Sequence, residues 1–165
     1  MKIAGSLEGS KGAGDPDETM EKEIVVFPTS FAQQRLWFLD QLEPGNSTYN
    51  IAQAFRLSGR LQPEALERSL NEIVRRHETL RTTFVEIEGE PAQIIGAPSH
   101  QPLNVINLLG IPAGRRESEA GRLLEAEAHR PFDLAKGPLF RATLFGLDEE
   151  EIILLLIMHH IISNG

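Results

Sequence analysis

The chain has no cysteine in its 165 residues. That excludes a disulfide framework, a thiolate metal site and a cysteine nucleophile. Positive charge is also scarce. Sixteen Lys and Arg stand against 24 Asp and Glu, for a formal net charge of -8, and no basic stripe offers a nucleic-acid footprint. No apolar run is long enough for a membrane-spanning helix, because the longest, Ile152 to Met158, ends in two histidines. The opening MKIAGSLEGSKGAG lacks an apolar core of secretory length, so no signal peptide is read and a cytoplasmic protein is expected. Hydrophobic residues make up 41% and charged residues 24%, the balance of a soluble globular domain with a real core.

Composition divides the chain. Residues 1–23 are rich in Gly, Ser, Asp and Glu and nearly free of large apolar side chains. They bury too little surface to offset ordering, which predicts a flexible leader or linker. From Ser30, SFAQQRLWFLDQLEPG reads as a capped helix with Phe31, Leu36, Phe38, Leu39 and Leu42 on its apolar faces, stopped by Pro44-Gly45. NIAQAFRLSG alternates as a strand. Pro63 opens an amphipathic helix with Leu66, Leu70, Ile73 and Val74 on one side. RTTFVEIEGEPAQIIG predicts a hairpin turning at Glu88-Gly89-Glu90, and PLNVINLL a short strand. Residues 114–129 predict a charged helix carrying Leu123, Leu124 and Ala128. GPLFRATLFGLDEEEIILLLIMHHII predicts two strands joined by an acidic turn. Helices interspersed with hairpins and a strongly apolar last strand indicate an α/β layered sheet with flanking helices.

The last strand poses the functional question. A buried imidazole without a partner costs about 1–3 kcal/mol, so two in an apolar run need a reason. Consecutive strand residues point to opposite faces, so His159 and His160 cannot share one task. His160 lies at the strand end before the turn signal Asn164-Gly165, where folds expose reactive groups, and its ordinary pKa near 6.5 suits a general base. On the residues alone, a satisfied structural histidine, a catalytic one and a metal ligand all stay open. Metal is the weakest of these, since the two rings diverge and no carboxylate cluster completes a site. His77 ends a helix, where a cation is favoured anyway. Arg75, Arg76 and Arg81 read as a solvated basic face, His100 and His129 as surface residues, and Trp37 and Phe38 as core. The glycine-rich leader matches neither phosphate-loop pattern.

Four stretches in order resemble the condensation domain of nonribosomal peptide synthetases: SFAQQRLWFL, RRHETLRTTF, FDLAKGPLFRATL and MHHIISNG, the last similar to the start of an HHxxxDG motif. The resemblance covers residues 24–165. It implies a chloramphenicol acetyltransferase-like lobe, the N-terminal half of a two-lobe domain whose second lobe would complete the active channel. It implies amide-bond formation between a donor acyl or peptidyl thioester and an acceptor aminoacyl thioester, each on the phosphopantetheine arm of a carrier protein, with no cofactor held by the domain itself. His160 then maps to the functional histidine, as general base or as a group that positions and stabilises the tetrahedral intermediate.

By the same resemblance His159 maps to a structural role and Gly165 to close backbone approach at the thioester. The family has aspartate where this chain has Asn164, and that aspartate is associated with an arginine ion pair that asparagine cannot form. The implied partners are donor and acceptor carrier proteins, a C-terminal lobe and an adjacent adenylation domain. A fragment of this kind is expected to be inactive alone. Two other readings are a related HxxxD acyltransferase and a non-catalytic docking lobe that binds carrier proteins. Ending at Gly165, the apolar last strand is expected to lie at an unprotected sheet edge.

Overall fold

Ser30 illustrates how closely local sequence sets this architecture, which a computed structural model describes over residues 25–163. The Ser30 hydroxyl accepts from the Gln33 N–H, and the Gln33 side chain reaches back to the Ser30 N–H at 2.8 Å. This reciprocal box satisfies two of the donors that a helix start leaves without partners. Helix α1 (Phe31–Leu42) follows. Pro63 occupies the first turn of α2 (Pro63–Arg76), where its missing N–H costs nothing, and α3 spans Ala113–Ala128. The expected leader at residues 1–23, with Asn164 and Gly165, lies outside the described residues.

Seven strands form two sheets among the described residues. The smaller is antiparallel and orders β1 (Val25–Pro28), β4 (Glu90–Ile95) and β3 (Thr82–Ile87) with β4 central. Its hairpin turns at Glu88 and Gly89, both with positive φ (55° and 85°), as a two-residue type I′ turn requires. The larger sheet runs β2 (Asn50–Ser58), β7 (Glu151–His159), β6 (Phe140–Gly146), β5 (Asn104–Asn107). Strands β5 and β6 are parallel, with α3 as their crossover; the other pairs are antiparallel. The layered α/β expectation therefore holds.

Several expectations need correcting. Strand β7 is not at an edge. It pairs with β2 along its whole length and with β6 on the other side, so its backbone groups are covered and β2 and β5 form the edges instead. Phe38 is not core: it is 57% exposed, and Phe31 is 91% exposed, because α1 turns Leu36 and Trp37 inward. Arg81 is not on a solvated face. It is 16% exposed, donating to the Gly96 carbonyl and pairing with Glu78, whereas Arg75 and Arg76 are exposed and share Glu72. Strand β1 goes beyond the sequence expectation, since VVFP has only four residues and is exposed throughout.

The main core gathers Val74 of α2, Phe84 of β3, Ala120 of α3, Leu139, and Phe145, Leu155 and Ile157 of the large sheet. A loop from Phe132 to Pro138 joins the layers. The Phe84 N–H of β3 donates to the Leu134 carbonyl at 2.8 Å, tying the small sheet to the segment that leads into β6.

Candidate functional site

The apolar character of β7 ends where its two histidines begin, and the backbone changes with it. His159 is the last strand residue, whereas His160 opens a single 3₁₀ turn, His160–Ile162. The divergence expected from strand alternation thus has a different immediate cause: the chain leaves the strand between the two rings. The His159 N–H donates to the Leu139 carbonyl at 3.0 Å, and the His160 N–H to the Tyr49 carbonyl at 2.8 Å. The main chain at the pair is therefore pinned from the segment before β6 on one side and from the residue before β2 on the other. Helix α1, which comes from the stretch SFAQQRLWFL, packs against the turn, with Leu36 in the same core as Ile161 and Ile162.

His159 is 2% exposed, its ring centroid 6.3 Å from those of Tyr49 and Phe132, edge-on to the latter. Its Nδ1 accepts the Ile161 N–H at 3.2 Å. A side chain from the strand end thus caps the turn that carries its neighbour, which gives the buried imidazole its reason. Accepting at Nδ1 places the neutral ring's proton on Nε2. Burial, and secondarily the nearby His160, push its pKa down to about 4.

Stability depends on pH as a result. The unfolded chain takes up a proton at His159 near pH 6.5, but the folded chain does so only near 4. Between those values the unfolded state binds more protons, so the contribution is present in full above pH 6.5 and is lost as the pH falls toward 4. The shift corresponds to about 3 kcal/mol. Denaturant midpoints of the chain and of His159→Gln, compared from pH 7.5 to 4.5, are expected to show the unsubstituted chain losing that much more of its stability. Parallel losses would refute the assignment.

His160 is half-buried. Its Nδ1 lies 2.7 Å from the Ser163 hydroxyl, and that hydroxyl donates to the His160 carbonyl at 2.8 Å. The two histidines differ in environment: His159 is buried and caps the turn, and His160 is half-buried as the first residue of that turn.

The loop under His159 is held by Arg141 of β6. The guanidinium stacks 3.9 Å from the Phe132 ring and donates to the carbonyls of Glu127, Arg130 and Pro131, at the C-terminus of α3 and just beyond. Burial, and then Arg130, push its pKa down to about 10, which leaves it charged at neutral pH. Asn50 adds two donations to the Ala128 and Arg130 carbonyls. A cation against the open carbonyls of a helix end is favourable in itself. Here it also fixes Phe132 beside His159. The sequence signal was available in FDLAKGPLFRATL, but nothing in its spacing shows that Arg141 returns to the helix end.

The remaining sequence candidates lie apart from the pair. His77 follows α2 and His129 follows α3, while His100 sits 3.3 Å from Glu67. Among the described residues no group of three or more His, Asp or Glu is placed to hold a metal, and no helix is long and apolar enough to cross a membrane. Asn164 and Gly165 follow directly on Ser163 but lie outside the described residues.

A family profile described as Condensation domain matches residues 24–165. Among curated proteins, the chain is 53% identical over 164 residues to a component of the linear gramicidin synthase of Brevibacillus parabrevis, covering 96% of this chain and 3% of that protein. It is 43% identical to phosphinothricin tripeptide synthetase PhsC of Streptomyces viridochromogenes, over 84% of this chain and 13% of that one. Among solved structures, the starter condensation domain of rhizomide synthetase RzmA superposes with a TM-score of 0.76 at 28% identity, covering 83% of this chain and 33% of that one. The chain thus spans a small part of the curated relatives and about a third of that solved chain.

Proposed function

The chain belongs to the condensation-domain family, and from that premise we propose that it forms the first lobe of an amide-forming domain in a nonribosomal peptide synthetase, with residues 24–165 as the lobe and 1–23 as a leader or linker. The observation that carries this reading is the pairing of a buried, capping His159 with a half-buried His160 that opens the turn just after β7. One ring builds the turn, and the other, half-buried, is the one we assign to the acceptor amine.

In the proposed reaction the acceptor's α-amine attacks the donor's thioester carbonyl. A C–N bond forms and the C–S bond breaks. The amine loses one proton, which His160 accepts, and the departing thiolate gains one. The two thioesters arrive on the phosphopantetheine arms of donor and acceptor carrier proteins. A C-terminal lobe, an adjacent adenylation domain and a cytoplasmic setting belong to the same proposal. Gly165 is proposed to allow close backbone approach at the thioester, and Asn164 to hold the place of a carboxylate.

A loaded-carrier assay on the longer protein that carries this lobe tests the reading. Amide product is expected only when both carriers are loaded, and Asn164→Asp is expected to raise its yield. Carrier binding with no product in either protein would overturn the enzymatic reading and leave a docking lobe.

A further inference from the structure

Strand edges in native proteins are blunted by shortness, proline, bulges, charge or a covering segment. Among the described residues three of the four sheet borders follow that rule. Strands β1 and β5 have four residues each, β1 ending in Pro28, and in β3 the Phe84 N–H is taken by the Leu134 carbonyl. Strand β2 does not. It has nine residues, NIAQAFRLS, in unbroken register with β7, with no proline and a single charge, Arg56. Residues Ala52 to Arg56 are all exposed, Phe55 at 44%.

Bonds at its two ends fix which way its backbone groups point. The Tyr49 carbonyl accepts from the His160 N–H, and the Gly59 N–H donates to the Glu150 carbonyl, so the odd-numbered residues serve β7. By antiparallel alternation the N–H and C=O groups of Ala52, Ala54, Arg56 and Ser58 face away from it. Such a row of alternating donors and acceptors matches another extended chain. We infer that a second copy of this chain pairs with β2 along its free edge, antiparallel, about a two-fold axis through Phe55.

The order of side chains along β2 favours its own copy as the occupant. With the axis at Phe55, Arg56 lies opposite Ala54 of the second copy and Ser58 opposite Ala52, and each such pair exchanges two main-chain hydrogen bonds. Phe55 meets its counterpart at a non-hydrogen-bonded pair, where side chains approach most closely, and an exposed aromatic becomes covered. An axis one residue earlier would set Phe55 against Gln53. One residue later it would set Arg56 against Arg56, and like charges directly opposite are destabilising. Each copy has one such edge, so the association closes at two.

Sedimentation equilibrium of the 165-residue chain over a concentration series is expected to show the mass rising from one chain to two and stopping there. Ala54→Pro deletes an outward N–H that β7 does not use, a place where edge strands accept proline. It is expected to keep the fold by circular dichroism and to stay at the mass of one chain. Ala54→Lys, which sets a cation opposite Arg56 of the second copy, is expected to do the same if the proline variant fails to fold. A single-chain mass for the unsubstituted protein throughout would overturn the inference and leave the edge to a strand from elsewhere in the longer protein. A dimer undiminished in Ala54→Lys would overturn it too. Because the chain has no cysteine, Phe55→Cys introduces its only thiol. Opposed Cα atoms at a non-hydrogen-bonded pair lie about 4.5 Å apart, within disulfide reach, so oxidation is expected to link two copies. Gln53→Cys sets its two thiols about 13 Å apart along the strands and is expected to remain unlinked. Equal linking from the two positions would overturn the axis at Phe55.

Discussion

His160→Ala in the longer protein is expected to reduce amide formation by roughly 10²–10⁴-fold, the usual contribution of a positioned general base. Product loss should exceed any loss of stability, because the ring is only half-buried and lies 2.7 Å from the Ser163 hydroxyl of its own turn. The companion change His159→Ala should behave in reverse. It removes a buried ring between Tyr49 and Phe132, together with the cap on the Ile161 N–H, so stability should fall first and activity only as a consequence. Product formation and a denaturant midpoint, measured on both variants, separate the roles. Full activity in His160→Ala would end its assignment as the reacting group.

The largest effect on stability is expected from Phe145→Ala. Phe145 is 0% exposed near the C-terminal end of β6, opposite Ile153 of β7 and Ile106 of β5. Truncating such a side chain removes its transfer free energy and leaves a cavity that neighbours on three strands cannot close, a cost of about 3–5 kcal/mol. Against a total stability on the order of 5–15 kcal/mol this is a large share. Phe145→Leu, which keeps most of the volume, should cost well under half as much. The single tryptophan, Trp37, packs against the same core and gives a convenient fluorescence signal for urea titrations. Equal midpoints for Phe145→Ala and the unsubstituted chain would show that β6 is not the centre of the core.

The helices and the β3–β4 hairpin are legible in the sequence because their signals are local. The box at Ser30, the proline at position 63 and the positive-φ pair Glu88-Gly89 all act within three or four residues. The identity of β7 as a strand is equally plain from its unbroken run of apolar residues. Its position is not. That β7 sits between β2 and β6 depends on residues about a hundred positions apart, and edge and centre look alike when both faces are apolar. Arg81 departs from its expected solvated face for a related reason: its burial comes from the Gly96 carbonyl across the β3–β4 hairpin, not from its own helix face. At the site, alternation predicts that the two rings diverge, but the divergence, the cap from His159 and the link from His160 to Ser163 all arise from the 3₁₀ turn, which periodicity does not announce.

The pairing of β2 with β7 has a bearing on how the protein is made. Asn50 lies opposite His159 in the register. At a synthesis rate of about 5–20 residues per second, β2 leaves the ribosome roughly 5–20 s before the residue it must face. During that interval α1, α2 and the β3–β4 hairpin can form from neighbours already present, while β2, with Phe55, waits without its partner. The turn bearing His160 is then the last described piece to fall into place. His160, the residue proposed to act on the amine, therefore reaches its described surroundings only after nearly all of residues 25–163 have emerged.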